Sequence, residues 1–173
     1  LDGASSTPDT TSTVVEEVEP LGDAVCNQAN ALGINAQGQP VNSQACFLGK
    51  LSIDDVLQPN HRMLTPEQAQ TLRISTLIRI SPEHVGKKAE ILLVGTHNTL
   101  VDETHYTRKE RPWYQWDDKL SSLTKAQFHP QLPEIVNVFI FEGDLSAMPG
   151  EFTIFVGYRL LEDNIIIYNG LEP

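Results

Sequence analysis

The alternation of apolar and polar residues near the C-terminus is the feature that most constrains the fold. Every second residue of this segment is apolar: Phe152, Ile154, Val156, Tyr158 and Leu160. A period of two is typical of a strand with one buried face. Glu162-Asp163-Asn164 supplies turn chemistry, and a β-branched run at 165–167 follows it. The pattern predicts a β-hairpin that closes a sandwich.

The same alternation recurs upstream of the hairpin. It predicts strands at 72–80, at 87–95, around 104–107 and at 135–141, the last with apolar residues on both faces. Residues 51–57 fit either a short helix or a strand, Thr65-Pro66 predicts one or two helical turns, and residues 120–128 are weakly helical. The segment from Arg108 to Pro112 is expected to be charged and exposed. About six or seven strands over about 100 residues predict an all-β, Ig-like antiparallel β-sandwich.

Composition divides the chain into three parts. Residues 1–20 are rich in Ser, Thr, Asp and Pro and read as an extended N-terminal tail. Residues 21–70 are an irregular region punctuated by Gly and Pro, and residues 72–173 are the β-sandwich core. The tail has few apolar anchors, namely Val14, Val15 and Val18. They predict a short strand that adds to the sheet edge of a neighbouring copy.

The net charge of -11 is unevenly placed, since the first 49 residues contain no Lys or Arg. The acidic balance argues against nucleic acid as a partner and against anionic membrane surfaces. The sequence also lacks an apolar run of the ~20 residues that a membrane helix needs. No signal peptide is visible at the start, which fits an exported chain whose signal has been removed or an excised fragment.

The cysteines Cys26 and Cys46 flank a polar, turn-rich loop. A disulfide between them would restrict the unfolded chain by roughly 3 kcal/mol and would fit an oxidising compartment. Two unrelated buried thiols are the alternative. No His or further Cys stands at zinc-ligand spacing, so we expect no metal and no cofactor there.

Several strings resemble a β-sandwich module found in large secreted or surface proteins of gammaproteobacteria. They are Val85-Gly-Lys-Lys-Ala-Glu-Ile-Leu-Leu-Val, Trp116-Asp117, Leu132-Pro-Glu, Phe139-Ile-Phe-Glu-Gly-Asp-Leu, Gly150-Glu-Phe-Thr-Ile-Phe-Val-Gly-Tyr-Arg-Leu and Ile167-Tyr-Asn. The resemblance covers roughly residues 72–172. It implies an extracellular setting and a non-enzymatic role, and it implies no particular catalytic or binding residues.

The candidate binding residues are aromatic. On a strand, Tyr114 and Trp116 would share one face and Trp113 would take the other, so one Trp is expected in the core. An exposed member of the group would stack on a sugar ring or anchor a subunit contact.

Three further groups of residues are weaker candidates for a site. His97 and His105 with Asp102 and Glu103 offer imidazole and carboxylate metal ligands, and Asp117-Asp118 offers carboxylates for Ca²⁺ or a sugar hydroxyl. An isopeptide bond would join Lys87 or Lys88 to Asn137, assisted by Glu90 or Glu142. None of these matches a strong motif, and no nucleophile, phosphate-loop or dinucleotide signature occurs.

The sequence therefore predicts a non-enzymatic structural subunit or module of an extracellular assembly, such as a filament, fibre or coat. It is expected to be secreted or on a bacterial cell surface, with the periplasm as second choice, and to self-associate. The alternatives are a carbohydrate-binding or adhesin module that uses the aromatic residues, and a periplasmic sensor or ligand-binding domain.

Overall fold

A computed structural model describes residues 28–58 and 63–170 of the chain. Over these residues the protein is built from antiparallel strands and three short 3₁₀ helices, Gln68–Thr71, Pro82–His84 and Leu120–Ser122. The strands are β1 (Leu32–Ile34), β2 (Pro40–Val41), β3 (Cys46–Ile53), β4 (Val56–Leu57), β5 (Leu72–Arg79), β6 (Ala89–Asn98), β7 (Glu103–Arg108), β8 (Trp113–Gln115), β9 (Lys125–His129), β10 (Ile135–Gly143), β11 (Glu151–Leu160) and β12 (Ile166–Tyr168).

The strands form two sheets. The larger sheet has the order β2-β1-β12-β11-β6-β7-β8, and the smaller sheet has the order β10-β5-β3-β4. One side of β6 pairs with β11, and its other side is shared by β7 and β9. The predicted all-β, antiparallel character is confirmed.

One hydrophobic core lies between the inner faces of the two sheets. The larger sheet contributes every second residue of β6 and β11, and the smaller sheet does the same from β5 and β10. Its most buried members include Ile78, Ile91, Leu93, Val138, Tyr158, Leu160 and Ile167. This arrangement is sandwich-like, because alternate residues of β5, β6, β10 and β11 face one core between the two sheets.

The predicted closing hairpin is present and central. β11 and β12 pair from Gly157 with Tyr168 to Arg159 with Ile166. The turn between them closes with a 2.8 Å bond from the N–H of Leu160 to the carbonyl of Ile165. On its other sides, β11 pairs with β6 and β12 pairs with β1. Both edges of the hairpin are therefore occupied, and it cannot accept a further strand.

Local predictions failed where pairing overrides a weak local preference. Residues 120–128, predicted to be weakly helical, contain a 3₁₀ turn followed by β9, which pairs with the first half of β6. Residues 51–57 are the end of β3, a turn and β4. In β10 only Val136, Val138 and Ile140 are buried, whereas Ile135 is 51% exposed and Phe139 is 43% exposed. The apolar residues that the sequence places on both faces of this strand are therefore buried on one face only.

The N-terminal part of the described chain belongs to the same sheets as the rest. β3 pairs with β5 over eight residues, and β1 pairs with β12. From residue 72 onward there are eight strands, because the short β8 and the unexpected β9 add to the predicted number. None of the helices in residues 28–58 and 63–170 has the length and apolarity to cross a membrane. The tail at 1–20 lies outside the described residues.

Candidate functional site

β10, at one edge of the smaller sheet, is the longest edge strand among the described residues. β10 has nine residues, against five for β9, three for β8 and two each for β2 and β4. The N–H of Ile80 donates to the carbonyl of Glu134 at 2.9 Å. This bond fixes which residues of β10 point their backbone groups towards β5, because that direction alternates along a strand. Ile135, Asn137 and Phe139 therefore turn their backbone N–H and C=O groups away from β5.

The opposite side of the smaller sheet is better protected. The side chain of Asn30 accepts from the N–H of Phe47 at 2.8 Å and donates to its carbonyl at 2.9 Å. Further along, the N–H of Gln58 donates to the carbonyl of Leu51 at 2.8 Å. Natural sheets often cover their edges in this way, because an unpaired edge is a template for another strand. The outer edge of β10 lacks comparable cover over residues 135–138 within the described chain.

At its far end, the β10 edge is joined to the larger sheet by Arg108. The pairing register of β10 with β5 shifts between Phe139 and Phe141, which marks a β-bulge. Arg108, the last residue of β7, donates from Nη1 to the carbonyls of Phe139 and Ile140, the latter at 2.7 Å. Its Nε donates to the carbonyl of Arg111 at 3.1 Å, and its guanidinium lies 5.3 Å from the centre of the Phe139 ring. Arg108 thus caps the bulge.

A cavity of about 560 Å³ opens beside this bulge. It lies where the edge strands β9 and β10 of the two sheets face each other. Its lining consists of Arg108, Glu110, Arg111, Ala126, Gln127, Phe139 and Glu142. We call this space the corner cavity. It adjoins the outer edge of β10.

Arg108 is a buried cation without a carboxylate partner among the described residues. It is only 5% exposed, and all of its hydrogen bonds go to backbone carbonyls. Burial lowers the pKa of Arg108, and the nearby charge of Arg111 lowers it further. Buried charges are usually paired, because taking a charge out of water is costly. The expectation that the segment from Arg108 to Pro112 is exposed was wrong for Arg108 and is confirmed for residues 109–112.

The aromatic residues divide between the two faces of β8, in the pattern expected for a strand. Trp113 is partly buried against the core, and its ring lies next to Gly95 on β6. Tyr114 is 51% exposed. Tyr114 and Trp116 line a second, smaller cavity of about 350 Å³ together with Thr107, Lys109, Gln115, Asp117, Ser122 and Thr124. We call this space the aromatic pocket.

The loop that carries Trp116 is held by polar contacts. Trp116 Nε1 donates to the hydroxyl of Ser122 at 3.0 Å and to the carbonyl of Lys119 at 3.1 Å. The Asp117 carboxylate accepts from Ser122, which lowers the pKa of Asp117. The Asp118 carboxylate instead pairs with Nδ1 of His105. The two aspartates therefore have separate partners.

His97 and His105 do not converge, because they lie on opposite faces of the larger sheet. His105 pairs across the strands with Thr96, so its side chain shares the face of that neighbour. His105 lies between Asp118 and Glu103, and the ring of His97 stacks on Phe152 at 4.3 Å. Over residues 28–58 and 63–170, no group of three or more His, Cys, Asp or Glu is arranged to hold a metal ion.

The side chains considered for an isopeptide bond are also engaged elsewhere. Lys87 forms an ion pair with Asp163 at 3.2 Å, and Lys88 lies over the Phe128 ring. The two candidate acids bind arginines: Glu90 binds Arg159 at 2.6 Å and Glu142 binds Arg73 at 3.1 Å. These contacts do not bring a Lys and an Asn together around an acid.

Of the predicted disulfide pair, only Cys46 lies within the described residues. It begins β3 and is 1% exposed. Cys26 lies outside the described residues, as do Val14, Val15 and Val18. The Cys26–Cys46 disulfide remains a prediction.

A buried polar pair was not found by sequence reasoning. His84 is 4% exposed, and its Nδ1 lies 2.8 Å from the hydroxyl of Tyr158, which is fully buried. Burial lowers the pKa of His84 and raises the pKa of Tyr158 to about 12. The inward periodicity of β11 identifies Tyr158 as a core residue, but nothing in the sequence indicates its partner.

Over residues 28–58 and 63–170, the fold is all-β, with two antiparallel sheets and an open edge at residues 135–138 of β10. No family model, curated protein or solved structure gives a significant match to this chain.

Proposed function

We propose that this protein is a structural subunit or module of an extracellular assembly, an Ig-like sandwich joined to its neighbours by β-strand addition. The observation that carries the proposal is the open edge of β10 over residues 135–138 of the described chain, where Ile135 and Asn137 direct backbone groups away from the sheet. A long edge with exposed apolar side chains favours pairing with another chain. The added strand is residues 14–18 of a neighbouring copy.

The donor segment has the chemistry that such an edge requires. Residues 14–18 read Val-Val-Glu-Glu-Val, so each face of a strand would carry both a β-branched residue and a carboxylate, and no Pro interrupts the run. In strand addition, backbone bonds supply affinity and alternate side chains supply specificity. Because donor and acceptor are different surfaces of the chain, the contact is heterologous and propagates into a fibre when it does not close.

The setting of the proposal is the cell exterior. An acidic N-terminal tail and a Cys26–Cys46 disulfide suit a secreted or cell-surface protein in an oxidising compartment. The sequence resemblance to modules of secreted and surface proteins of gammaproteobacteria supports the same setting. The protein then acts by assembling rather than by catalysis.

Deletion of residues 1–19 tests the proposal. The truncated protein should fold and remain a monomer at concentrations where the full chain forms higher oligomers in sedimentation velocity. A chain with residues 1–8 deleted, which keeps the valines, is the matched control and should assemble as the full chain does. If the deletion of 1–19 leaves assembly unchanged, strand addition by the tail is excluded.

A second candidate function uses the aromatic pocket. Exposed Tyr114 and partly exposed Trp116 stand among polar neighbours, a composition that suits stacking on a sugar ring. The test is a glycan array probed with the full chain and with Tyr114→Ala. Saturable binding that the substitution abolishes supports an adhesin role, and an empty array excludes it for the glycans displayed.

A further inference from the structure

The corner cavity is lined by a buried cation that has no carboxylate partner among the described residues. Only 5% of the surface of Arg108 is exposed. Its Nε and Nη1 donate to backbone carbonyls, and its Nη2 has no hydrogen bond with the described residues. The neighbouring Arg111 also lines the cavity and adds a second positive charge. The N–H groups of Nη2 are the donors that these three bonds leave over, and a carboxylate is the acceptor that forms the strongest hydrogen bonds with a guanidinium. A carboxylate is the group that would add to the contacts of Arg108 here.

We propose that the corner cavity of one copy binds the carboxylate of Glu16 from the N-terminal segment of a neighbouring copy. This inference rests on the proposed function and names the contact that sets its register. The cavity adjoins the outer edge of β10 through Phe139, so a strand paired with that edge passes the guanidinium of Arg108.

The alternation of the donor segment selects Glu16. On a strand, Val14, Glu16 and Val18 share one face, and Val15, Glu17 and Glu19 share the other. The first face offers one carboxylate between two apolar side chains. That arrangement matches a cavity in which Arg108 lies beside the apolar groups of Ala126 and Phe139.

The second face fits the cavity less well. The lining already holds Glu110 and Glu142, and the second face would bring two further carboxylates, Glu17 and Glu19, towards it, whereas the first face brings one. Like charges at close range oppose binding. Glu17 is therefore the matched control for Glu16, since it is the same residue type one position away.

The experiment uses capped peptides of residues 12–20 and the full chain at low concentration, so that excess peptide competes with the tails of other copies. Three peptides are compared by isothermal titration: the natural sequence, Glu16→Gln and Glu17→Gln. We expect the Glu16→Gln peptide to bind about tenfold or more weakly than the natural one, and the Glu17→Gln peptide to stay within about threefold. The Nε–H signal of Arg108 in nuclear magnetic resonance should shift with the natural peptide and not with Glu16→Gln.

The outcomes separate the two proposals. If all three peptides bind equally, or if Glu17→Gln is the weaker one, the assignment of Glu16 to the corner cavity is overturned while strand addition stands. If none of the peptides binds, both are overturned. With Arg108→Met in the full chain, the dissociation constants of the natural and Glu16→Gln peptides should differ by less than about threefold. If the two peptides still differ about tenfold in affinity for a folded Arg108→Met protein, the assignment is also overturned. Circular dichroism establishes whether the variant is folded. If Arg108→Met does not fold, the Nε–H signal of the natural chain decides, and an unshifted signal overturns the assignment.

Discussion

Nη1 of Arg108 donates a 2.7 Å hydrogen bond to the carbonyl oxygen of Ile140, and this bond crosses from the larger sheet to the smaller one. It lies at the β-bulge of β10, where the ladder with β5 shifts register. One side chain thus closes part of an otherwise open edge and leaves its remaining donors facing the corner cavity. The same residue links the stability of the fold to the proposed contact between copies.

Arg108→Met should destabilise the protein by about 1–3 kcal/mol, because the carbonyls of Phe139 and Ile140 lose their donor in a buried position. Urea unfolding followed by circular dichroism measures the effect. Arg111→Met, which removes a neighbouring charge but none of these side-chain bonds, is the control and should change stability by less than about 0.5 kcal/mol. Equal stability of Arg108→Met and the natural protein would show that the bonds are not structural.

The buried pair of His84 and Tyr158 makes stability depend on pH. Burial lowers the pKa of His84 below its usual 6.5, so the unfolded chain binds the proton more readily than the folded one. The contribution of neutral His84 to the free energy of unfolding is complete above pH 6.5, and it is lost as the pH falls from there through the lowered pKa of the folded state. Urea midpoints of the natural protein should therefore drop over this window more than those of His84→Gln. Parallel pH profiles for the two proteins would contradict this assignment.

Removal of the Tyr158 hydroxyl tests the same pair without titration. Tyr158→Phe keeps the ring in the core and leaves Nδ1 of His84 without its partner at 2.8 Å. We expect a loss of about 1–2 kcal/mol at neutral pH. Tyr114→Phe, at an exposed position, is the control and should have little effect on the unfolding midpoint.

His105 should titrate in the opposite direction. Its hydrogen bonds to Asp118, and then to Glu103, raise the pKa of His105 above 6.5. The contribution of protonated His105 to the free energy of unfolding is therefore complete below pH 6.5, and it is lost as the pH rises through the raised pKa. A histidine titration by nuclear magnetic resonance should place the midpoint above 6.5, and Asp118→Asn should lower it more than Glu103→Gln. A midpoint at or below 6.5 in the natural protein would exclude these contacts in solution.

The parts of the fold that the sequence predicts are those carried by local alternation. β5, β6, β11 and the closing turn follow from residues of period two, as in the buried series Ile91, Leu93 and Val156, Tyr158. β9 was missed because its strand character comes from pairing with β6, which is distant in sequence. The burial of Arg108 was missed for a similar reason: its partners, Phe139 and Ile140, lie on the other sheet.

At the candidate site too, the sequence predicts local features and not those that depend on distant strands. The aromatic residues were found from their type and spacing, and their division between two faces follows from the strand period. The open edge of β10 could not be found this way, because the identity of an edge strand depends on the order of all strands in a sheet.

Two full-length variants isolate the two halves of the proposed contact. Val14→Asp with Val18→Asp impairs the donor strand. Asn137→Pro impairs the acceptor, because the N–H of Asn137 points away from β5 and its loss leaves the ladder intact. Asn137→Ala is the matched control and should assemble as the natural chain does.

The central claim is tested most directly by sedimentation velocity of these variants, alone and mixed. Each variant alone should be limited to a monomer, apart from weak association. An equimolar mixture should form a dimer, since one protein keeps a working donor and the other a working acceptor. A mixture that stays monomeric, or an Asn137→Pro protein that assembles by itself as the natural chain does, would contradict strand addition to β10.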